Sequence, residues 1–391
     1  MNIILAWWWP CYRQITCCHM LPLSEHYRGK KVLITGHTGF KGAWLAEWLL
    51  MLGADVHGYS LPPPTQPSLF EQLTLAGRIK HRVGDVRDAE SVRAAVLEWQ
   101  PDFIFHLAAQ PLVRLSYREP VETYSTNVMG TINVLEAARQ LAKPCAAVFI
   151  TTDKCYENRE WLHGYREEDK LGGYDPYSSS KAAAEIAIAS WRRSFFPVEK
   201  IASGAIAPVG IASVRAGNVI GGGDWALDRI VPDCMRALGR GEAIAVRNPQ
   251  ATRPWQHVLE PLSGYLNLGA QLHQALADPG KTGPARLENL CSAFNFGPAL
   301  DSNRPVREVV EEILRHWPGE WTDLSDAQAV HEASLLNLAT DKAHHLLGWK
   351  PRWDFAQTIQ KTVEWYRFAA TGPKGESSME FTRAQIVAYN S

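Results

Sequence analysis

Tyr177 and Lys181 stand four residues apart in Tyr177-Ser178-Ser179-Ser180-Lys181, the spacing that puts two side chains on one face of a helix. An ammonium beside a phenol favours the phenolate and lowers the tyrosine pKa. Such a pair can take a proton from a carbinol while hydride leaves its carbon. The spacing by itself also describes an ordinary surface pair. Its setting argues otherwise. Upstream lie a glycine loop, a fourth strand ending in His106-Leu107-Ala108-Ala109 and a fifth ending in Thr151-Thr152.

In the glycine loop, Gly36, Gly39 and Gly42 follow the apolar run Lys31–Thr35 and open the apolar stretch Ala43–Leu52. Glycines between a strand and a helix permit a tight turn, bring backbone N–H groups up to a pyrophosphate and let the helix pack closely on the sheet. The helix N-terminus adds a field that favours the anion. The loop is therefore read as a dinucleotide site, and the positive nicotinamide of an oxidised dinucleotide would favour the Tyr177 phenolate as well. No acidic residue closes the second strand, where Tyr59, Ser60 and Leu61 stand, so the choice between NAD and NADP stays open. Asp85, in Gly84-Asp85-Val86, is read equally as a contact for the adenine amine or as a cap for the next helix.

The elements needed to hold these residues can be read along the chain. Strands are expected at Lys31–Thr35, Ala54–Tyr59, Lys80–Val83, Phe103–Leu107, Ala146–Thr151 and Ile211–Ala216. Helices fit between them at Ala43–Leu52, Ala89–Trp99, Glu119–Gln140 and Tyr177–Phe195. Alternation of this kind means βαβ units and a parallel sheet. The expected fold is α/β, a doubly wound Rossmann sheet with a smaller C-terminal substrate-binding lobe and a ligand crevice at the carboxyl ends of the strands. The dinucleotide domain is placed at 28–217, with Leu290–Phe296 returning to the sheet. The lobe is placed at 218–289 and 299–375, with closing helices at Val306–Trp317 and Phe355–Phe368, and residues 376–391 read as a tail. Residues 1–27 read as an extension outside the fold. Its start holds Trp7-Trp8-Trp9 and three of the seven cysteines, without the basic start or cleavage site of a signal peptide.

Composition narrows the function. The 391 residues carry 40 Lys and Arg against 41 Asp and Glu, a net charge of −1, which argues against a nucleic-acid binder. The apolar and charged shares, 46% and 21%, are those of a globular chain. No apolar run approaches the ~18 residues of a membrane span. An odd number of cysteines without paired CxxC motifs suggests neither a disulfide framework nor a metal site. A cytoplasmic protein is expected.

From about Gly29 to Tyr366 the chain resembles the extended short-chain dehydrogenase/reductase family. The resemblance rests on Thr35-Gly36-His37-Thr38-Gly39-Phe40-Lys41-Gly42, Thr152-Asp153-Lys154-Cys155-Tyr156-Glu157-Asn158, Asp175-Pro176-Tyr177-Ser178-Ser179-Ser180-Lys181 and Arg215-Ala216-Gly217-Asn218-Val219-Ile220-Gly221-Gly222-Gly223-Asp224-Trp225. The last three stretches favour the nucleotide-sugar 4,6-dehydratases, in their CDP-glucose branch, over the epimerases. The resemblance implies a bound NAD held by Gly36, Thr38, Gly39, Phe40, Lys41, Gly42, Asp85, Val86, Leu107, Ala108, Ala109 and Thr126. It implies oxidation at C4 of a nucleotide hexose, with Tyr177 taking the hydroxyl proton and Thr152 sharing its hydrogen bond. Water then leaves across C5 and C6, and hydride returns to C6.

The elimination needs a base near C5 and an acid near the C6 oxygen. Lys154 is read as the base and Asp153 as the acid, where many related dehydratases carry Asp-Glu. A lysine base must be neutral, which burial and neighbouring cations favour. The alternative is that Lys154 binds diphosphate or pairs with Asp153. Substrate contacts are expected from Gln110, Asn127, Asn218, Arg229, Arg253 and His257. Packing is the competing role for His257, and a helix kink for Asn127. Cys155 is read as packing. The family implies a homodimer through the helices Glu119–Gln140 and Tyr177–Phe195. The rival activities are a 4-epimerase or a dehydratase for another nucleotide sugar, and more remotely a non-catalytic dinucleotide sensor. The epimerase would not need Asp153-Lys154, and the sensor would not need Tyr177, Lys181 and Thr152 together.

Overall fold

The run Cys145–Ile150 is buried at every position, the pattern of a strand covered on both faces. It is β5 of a seven-stranded sheet in a computed structural model that describes residues 23–280, 282–325, 335–371 and 377–391. The other strands are β1 (Lys31–Thr35), β2 (Asp55–Ser60), β3 (Lys80–Val83), β4 (Phe103–His106), β6 (Val209–Arg215) and β7 (Ala293–Asn295). Their order is β7-β6-β5-β4-β1-β2-β3, and every neighbouring pair is parallel. Parallel neighbours need crossovers, supplied here by α2 (Phe40–Met51), α3 (Ala89–Trp99), α4 (Gly130–Ala138) and α5 (Pro176–Ser194), with α1 (Leu23–Tyr27) preceding β1. The winding reverses between β1 and β4, so a crevice opens at their carboxyl ends. This is the doubly wound α/β fold expected from the alternation.

Most expected elements keep their bounds within one or two residues. The helices expected at Ala43–Leu52 and Phe355–Phe368 each extend three residues further, to Phe40 and Thr371, and two larger exceptions have local causes. Glu119–Gln140 is not one helix but Pro120–Tyr124, a wider π turn at Ser125–Met129, and α4. The expected strand Leu290–Phe296 shortens to β7 because Leu287–Leu290 turns helical.

Three expected boundaries are corrected. Tyr27, assigned to the extension, is fully buried and donates its hydroxyl to the Leu266 carbonyl at 2.8 Å. Residues 23–26 of that extension form the rest of α1, and 1–22 lie outside the described residues. The helix α7 (Leu259–Ala277), which follows α6 (Ile230–Arg240), was assigned to the substrate lobe. Instead it packs on β5 and β6, and its nearly all-round apolar surface is buried, as a helix filling a core must be. Residues 377–391 are not a tail. After α8 (Val306–His316) and α9 (Phe355–Thr371), the chain ends in α10 (Ser378–Asn390), which starts with a full capping box at Ser377 and Glu380.

That last helix packs on α2. Arg383 reaches the fully buried Glu47 carboxylate at 2.6 Å, which Arg78 clamps from the other side, while Tyr389 sets its ring against Trp48 and Trp353. Burying a side chain such as Ile386 or Tyr389 contributes about 1.5–3 kcal/mol. A chain ending at residue 376 is therefore expected to melt well below the full chain in thermal denaturation. An unchanged melting temperature would make α10 dispensable.

Candidate active site

The glycine loop closes on the crevice. Gly36 has φ +76°, and a Cβ there would meet the Ala108 backbone nitrogen at 2.7 Å. A Cβ on Gly42 would meet the Gly36 carbonyl at 2.2 Å. The loop thus leaves no room for side chains where its backbone meets β1, α2 and the end of β4, the form of a cradle for a dinucleotide pyrophosphate. Thr38 donates to the Leu61 carbonyl at 2.9 Å and pairs with the Ser60 hydroxyl at 2.8 Å, fixing the end of β2 beside the loop. Phe40 and Lys41 begin α2, and Leu107, Ala108 and Ala109 follow β4.

Asp85 lines an open cleft of about 600 Å³ with Arg87, Ser125, Met129 and Asn133. The cap of α3 is Asp88, which accepts from Ser91 N at 3.1 Å, so capping does not account for Asp85. Its carboxylate instead accepts from the Arg87 backbone and guanidinium, each at 2.9 Å, and Arg87 holds its pKa below the usual carboxylate range. Val86 is buried against Gly130, and Thr126 lies in the π turn beside this cleft.

The catalytic candidates converge at the end of β5. Thr152 opens a single 3₁₀ turn, Asp153–Cys155. Its hydroxyl donates to Asp153 Oδ1 at 2.9 Å, accepts from Lys154 N at 3.3 Å, and shares a hydrogen bond with the Tyr177 phenol. Asp153 is buried against Gly217, where a Cβ would lie 1.8 Å from Oδ2. Lys154, beside it, is half-buried. Tyr177 starts α5 behind the Asp175 cap and Pro176, and its backbone N–H donates to Ser116 Oγ at 3.1 Å. Lys181, one turn on, donates its Nζ to the Ile150 carbonyl at 3.3 Å.

The electrostatics differ from the simple expectation. Burial pushes the Tyr177 phenol up to about 12, against the Thr152 hydrogen bond and the Arg229 charge, which favour phenolate. Burial lowers the Lys181 ammonium to about 8, with Lys41 adding to the effect and Glu185 opposing it. Lys41 is likewise lowered to about 8, first by burial and then by Arg229, while Asp153 and Asp224 oppose. Desolvation outweighs the Thr152 hydrogen bond and the Arg229 charge: the protein's own groups do not bring this phenol toward neutrality.

The lobe brings up some of the expected substrate residues. Arg229 pairs with Asp224 at 2.7 Å, and its charge acts on both Tyr177 and Lys41. Asn218 follows Gly217 with φ 46°, so the chain turns sharply beside Asp153. Arg253 lies on a short strand, Thr252–Pro254, that pairs antiparallel with Asn303–Pro305, and its Nη1 donates to the Thr252 carbonyl at 2.9 Å.

Three residues expected to contact substrate have partners within the fold. His257 is fully buried edge-on to Trp44 and Trp353, its Nδ1 accepts from Leu259 N at 3.3 Å, and burial holds it neutral with a pKa of about 3. It packs. Asn127 sits in the π turn, accepting from Gln110 N at 2.9 Å and donating to the Gln110 carbonyl and Ser180 Oγ at 3.1 and 2.9 Å. It braces the turn after β4 against α5. Gln110 bonds Thr123 Oγ1 at 2.8 Å and Leu112 N at 2.6 Å, so both ends of its amide are used within the fold.

Sequence reading missed Glu185, Arg215 and Tyr156, buried beneath the site and joined by hydrogen bonds. The available signal was Glu185, four residues beyond Lys181 and therefore on the same face of α5. Among the described residues no group of three or more His, Cys, Asp or Glu could hold a metal ion, and no helix is long and apolar enough to cross a membrane.

A doubly wound sheet, a glycine cradle at its switch point and a Thr–Tyr–Lys set at the end of β5 define a short-chain dehydrogenase-type enzyme. The chain belongs to the GDP-mannose 4,6-dehydratase family, whose pattern matches residues 33–362. It is 45% identical over 370 residues to a CDP-glucose 4,6-dehydratase of Salmonella typhimurium, covering 94% of this chain and 98% of that one. Two solved structures share the fold. One is a dTDP-glucose 4,6-dehydratase from Streptomyces venezuelae with NAD bound, at TM-score 0.70 and 21% identity over 86% of this chain and 97% of that one. The other is a UDP-glucose 4-epimerase from Thermotoga maritima with UDP-glucose, at TM-score 0.69 and 19% identity over 87% of this chain and 99% of that one.

Proposed function

We propose that the protein converts CDP-glucose to CDP-4-dehydro-6-deoxyglucose, with NAD held at the glycine loop. The observation that carries this is the buried chain Tyr177–Thr152–Asp153, with Lys154 adjoining it, in a protein 45% identical to a CDP-glucose 4,6-dehydratase. Gly36, Gly39, Gly42 and the N-terminus of α2 would receive the pyrophosphate, and Asp85 the adenosine end. When bound, NAD supplies the hydride acceptor for C4 and the donor that later restores hydride at C6.

The chain's own residues handle protons. Tyr177 receives the C4 hydroxyl proton, and Thr152 orients the phenol. The resulting 4-ketone acidifies the C5 proton, which Lys154 removes, while Asp153 protonates the departing C6 oxygen. A resident acid and base on one turn favour dehydration over simple epimerisation. Arg229, Arg253 and Asn218 would bind the diphosphate, guanidinium groups being suited to bidentate contact with phosphate oxygens.

A homodimer through α5 and the 120–138 segment is part of the proposal. That surface exposes Val121, Tyr124, Met129 and Ile186, a set of large apolar side chains suited to an interface. Light scattering at micromolar concentration is expected to give twice the 43.6 kDa chain mass; the monomer mass would remove the dimer.

The function is tested by incubating the purified protein with CDP-, TDP-, UDP- and GDP-hexoses without added reductant. A dehydrated 4-keto-6-deoxy product from CDP-glucose is expected, with the other nucleotides turned over at least about tenfold more slowly, a difference of about 1.4 kcal/mol in the barrier. Preferred turnover of another nucleotide would reassign the substrate, and C4 epimerisation without loss of water would reassign the reaction.

A further inference from the structure

Beneath the catalytic turn lies an ion pair that the proposed chemistry does not use. Glu185 and Arg215 meet at 2.9 Å, and both side chains are almost completely buried, at 3% and 4% exposure. The Glu185 carboxylate also accepts from the Thr151 hydroxyl at 2.6 Å and the Ser213 hydroxyl at 2.9 Å. Arg215 donates to the Tyr156 phenol at 2.8 Å and to the Glu167 carbonyl at 2.9 Å, and its guanidinium stands 4.9 Å from the Tyr156 ring centroid. Tyr156 in turn donates to Asn295 Oδ1 at 2.7 Å. One network thus ties α5, β5, β6, β7 and the turn that carries Asp153 and Lys154.

Stability alone does not explain such a pair. Desolvating two charges is expensive, and apolar replacements of similar volume often fold as well or better. Its position offers a reason. Tyr177, Lys181 and Glu185 lie at successive turns on one face of α5, and Thr151 and Tyr156 bracket the catalytic residues Thr152, Asp153 and Lys154 in sequence. The carboxylate is therefore fixed both to the helix that carries the phenol and ammonium and to the strand that carries the acid and base.

We infer that Glu185, anchored by Arg215, is a positioning residue: its carboxylate, one helical turn beyond Lys181, locks α5 to the catalytic turn. The same charge acts on the Lys181 ammonium in favour of its charged form. Several other groups face the Lys181 ammonium. They are Lys41 from the start of α2, His106 from β4 and Cys155 from the catalytic turn. Arg215 and Arg192 act on Glu185 itself. Glu185 is the carboxylate in the set facing Lys181, so removing it leaves that ammonium among neutral and cationic neighbours. The inference concerns the site named in the proposed function and rests on that reading for its effect on turnover.

The test is Glu185→Gln, which keeps the shape and removes the charge. With the carboxylate gone and Arg215 still charged, Lys181 loses its proton at lower pH. Its midpoint, read by carbon-13 NMR of the lysine Cε with the signal assigned by its loss in Lys181→Met, is expected to fall by about one pH unit. The alkaline limb of kcat is expected to move down with it. At the pH optimum kcat is expected to fall about 10- to 100-fold, the scale of an ångström-level misplacement, with KM changed less than about twofold. Glu185→Asp keeps the charge on a shorter stem, so it is expected to leave the Lys181 midpoint near wild type while still lowering kcat.

An unmoved Lys181 midpoint and an unmoved alkaline limb in Glu185→Gln would overturn the inference, as would wild-type kcat in Glu185→Asp should the Gln variant not fold. The NMR titration needs no substrate. A wild-type protein inactive on every nucleotide hexose would therefore overturn the proposed function while the titration still decided the electrostatic role of Glu185.

Discussion

Tyr177→Phe is expected to lose about 10²- to 10⁴-fold in kcat on CDP-glucose, the range carried by one well-placed proton-transfer group, while binding the nucleotide sugar normally. The substitution removes a single oxygen. Thr152 keeps its bonds to Asp153 and to Lys154 N, so the catalytic turn has partners enough to hold its form. Calorimetric titration with CDP-glucose separates binding from turnover, and kcat within tenfold of wild type would remove Tyr177 from the proton-transfer role. A phenol raised to about 12 is protonated throughout the neutral range, so the reaction must supply what the folded protein withholds. The Arg229 charge already acts toward phenolate, a Thr152 hydroxyl turned to donate to Tyr177 would act the same way, and a cationic nicotinamide brought into the crevice acts in that direction too. Activity is accordingly expected only in the presence of the oxidised dinucleotide, with no phenolate-dependent chemistry in the protein stripped of it.

The sequence displays best what depends on local pattern. The alternation of apolar runs and amphipathic stretches gave the parallel sheet, because period and run length are properties of each segment. The glycine loop was legible for a related reason: Gly36 needs a positive φ and Gly42 a close backbone approach, and only glycine meets both cheaply. Tyr177 and Lys181 were legible because helical spacing predicts a shared face. The ionisation of that pair was not, since burial depends on what packs around α5 from the rest of the chain. The same limit explains His257 and Gln110. Each is polar and was expected to contact substrate, yet tertiary packing gives it partners inside the fold. Asn127 was half legible: an asparagine within a helical pattern signals an interruption, and the π turn is that interruption, but its role as a brace to Gln110 and Ser180 needed the contacts. Glu185 and Arg215 were invisible as a pair because they come together only when β6 lies beside α5.

Asp153→Asn and Lys154→Ala are expected to stop the same overall reaction at different steps. The Thr152 hydroxyl has one proton and two claimants, Asp153 and Tyr177. When Asp153 is a carboxylate, Thr152 donates to it and receives the Tyr177 proton as acceptor. When Asp153 carries a proton, it can donate to Thr152, which then turns its own proton toward a phenolate. The acid form of Asp153 and the base form of Tyr177 therefore support one another through Thr152. An asparagine amide imitates the donating form but has no proton to give to the C6 oxygen. Asp153→Asn is thus expected to oxidise C4 and exchange the C5 proton while losing water about 10²- to 10³-fold more slowly. In deuterated water, mass spectrometry of recovered CDP-glucose is expected to find deuterium at C5 with little dehydrated product. Lys154→Ala removes the group assigned to the C5 proton, so neither product nor C5 deuterium should accumulate. Substantial C5 exchange in Lys154→Ala would reject the base role and leave Lys154 a diphosphate contact or a partner of Asp153. Exchange in Lys154→Ala with none in Asp153→Asn would instead place the base role on Asp153, and the two residues would exchange assignments.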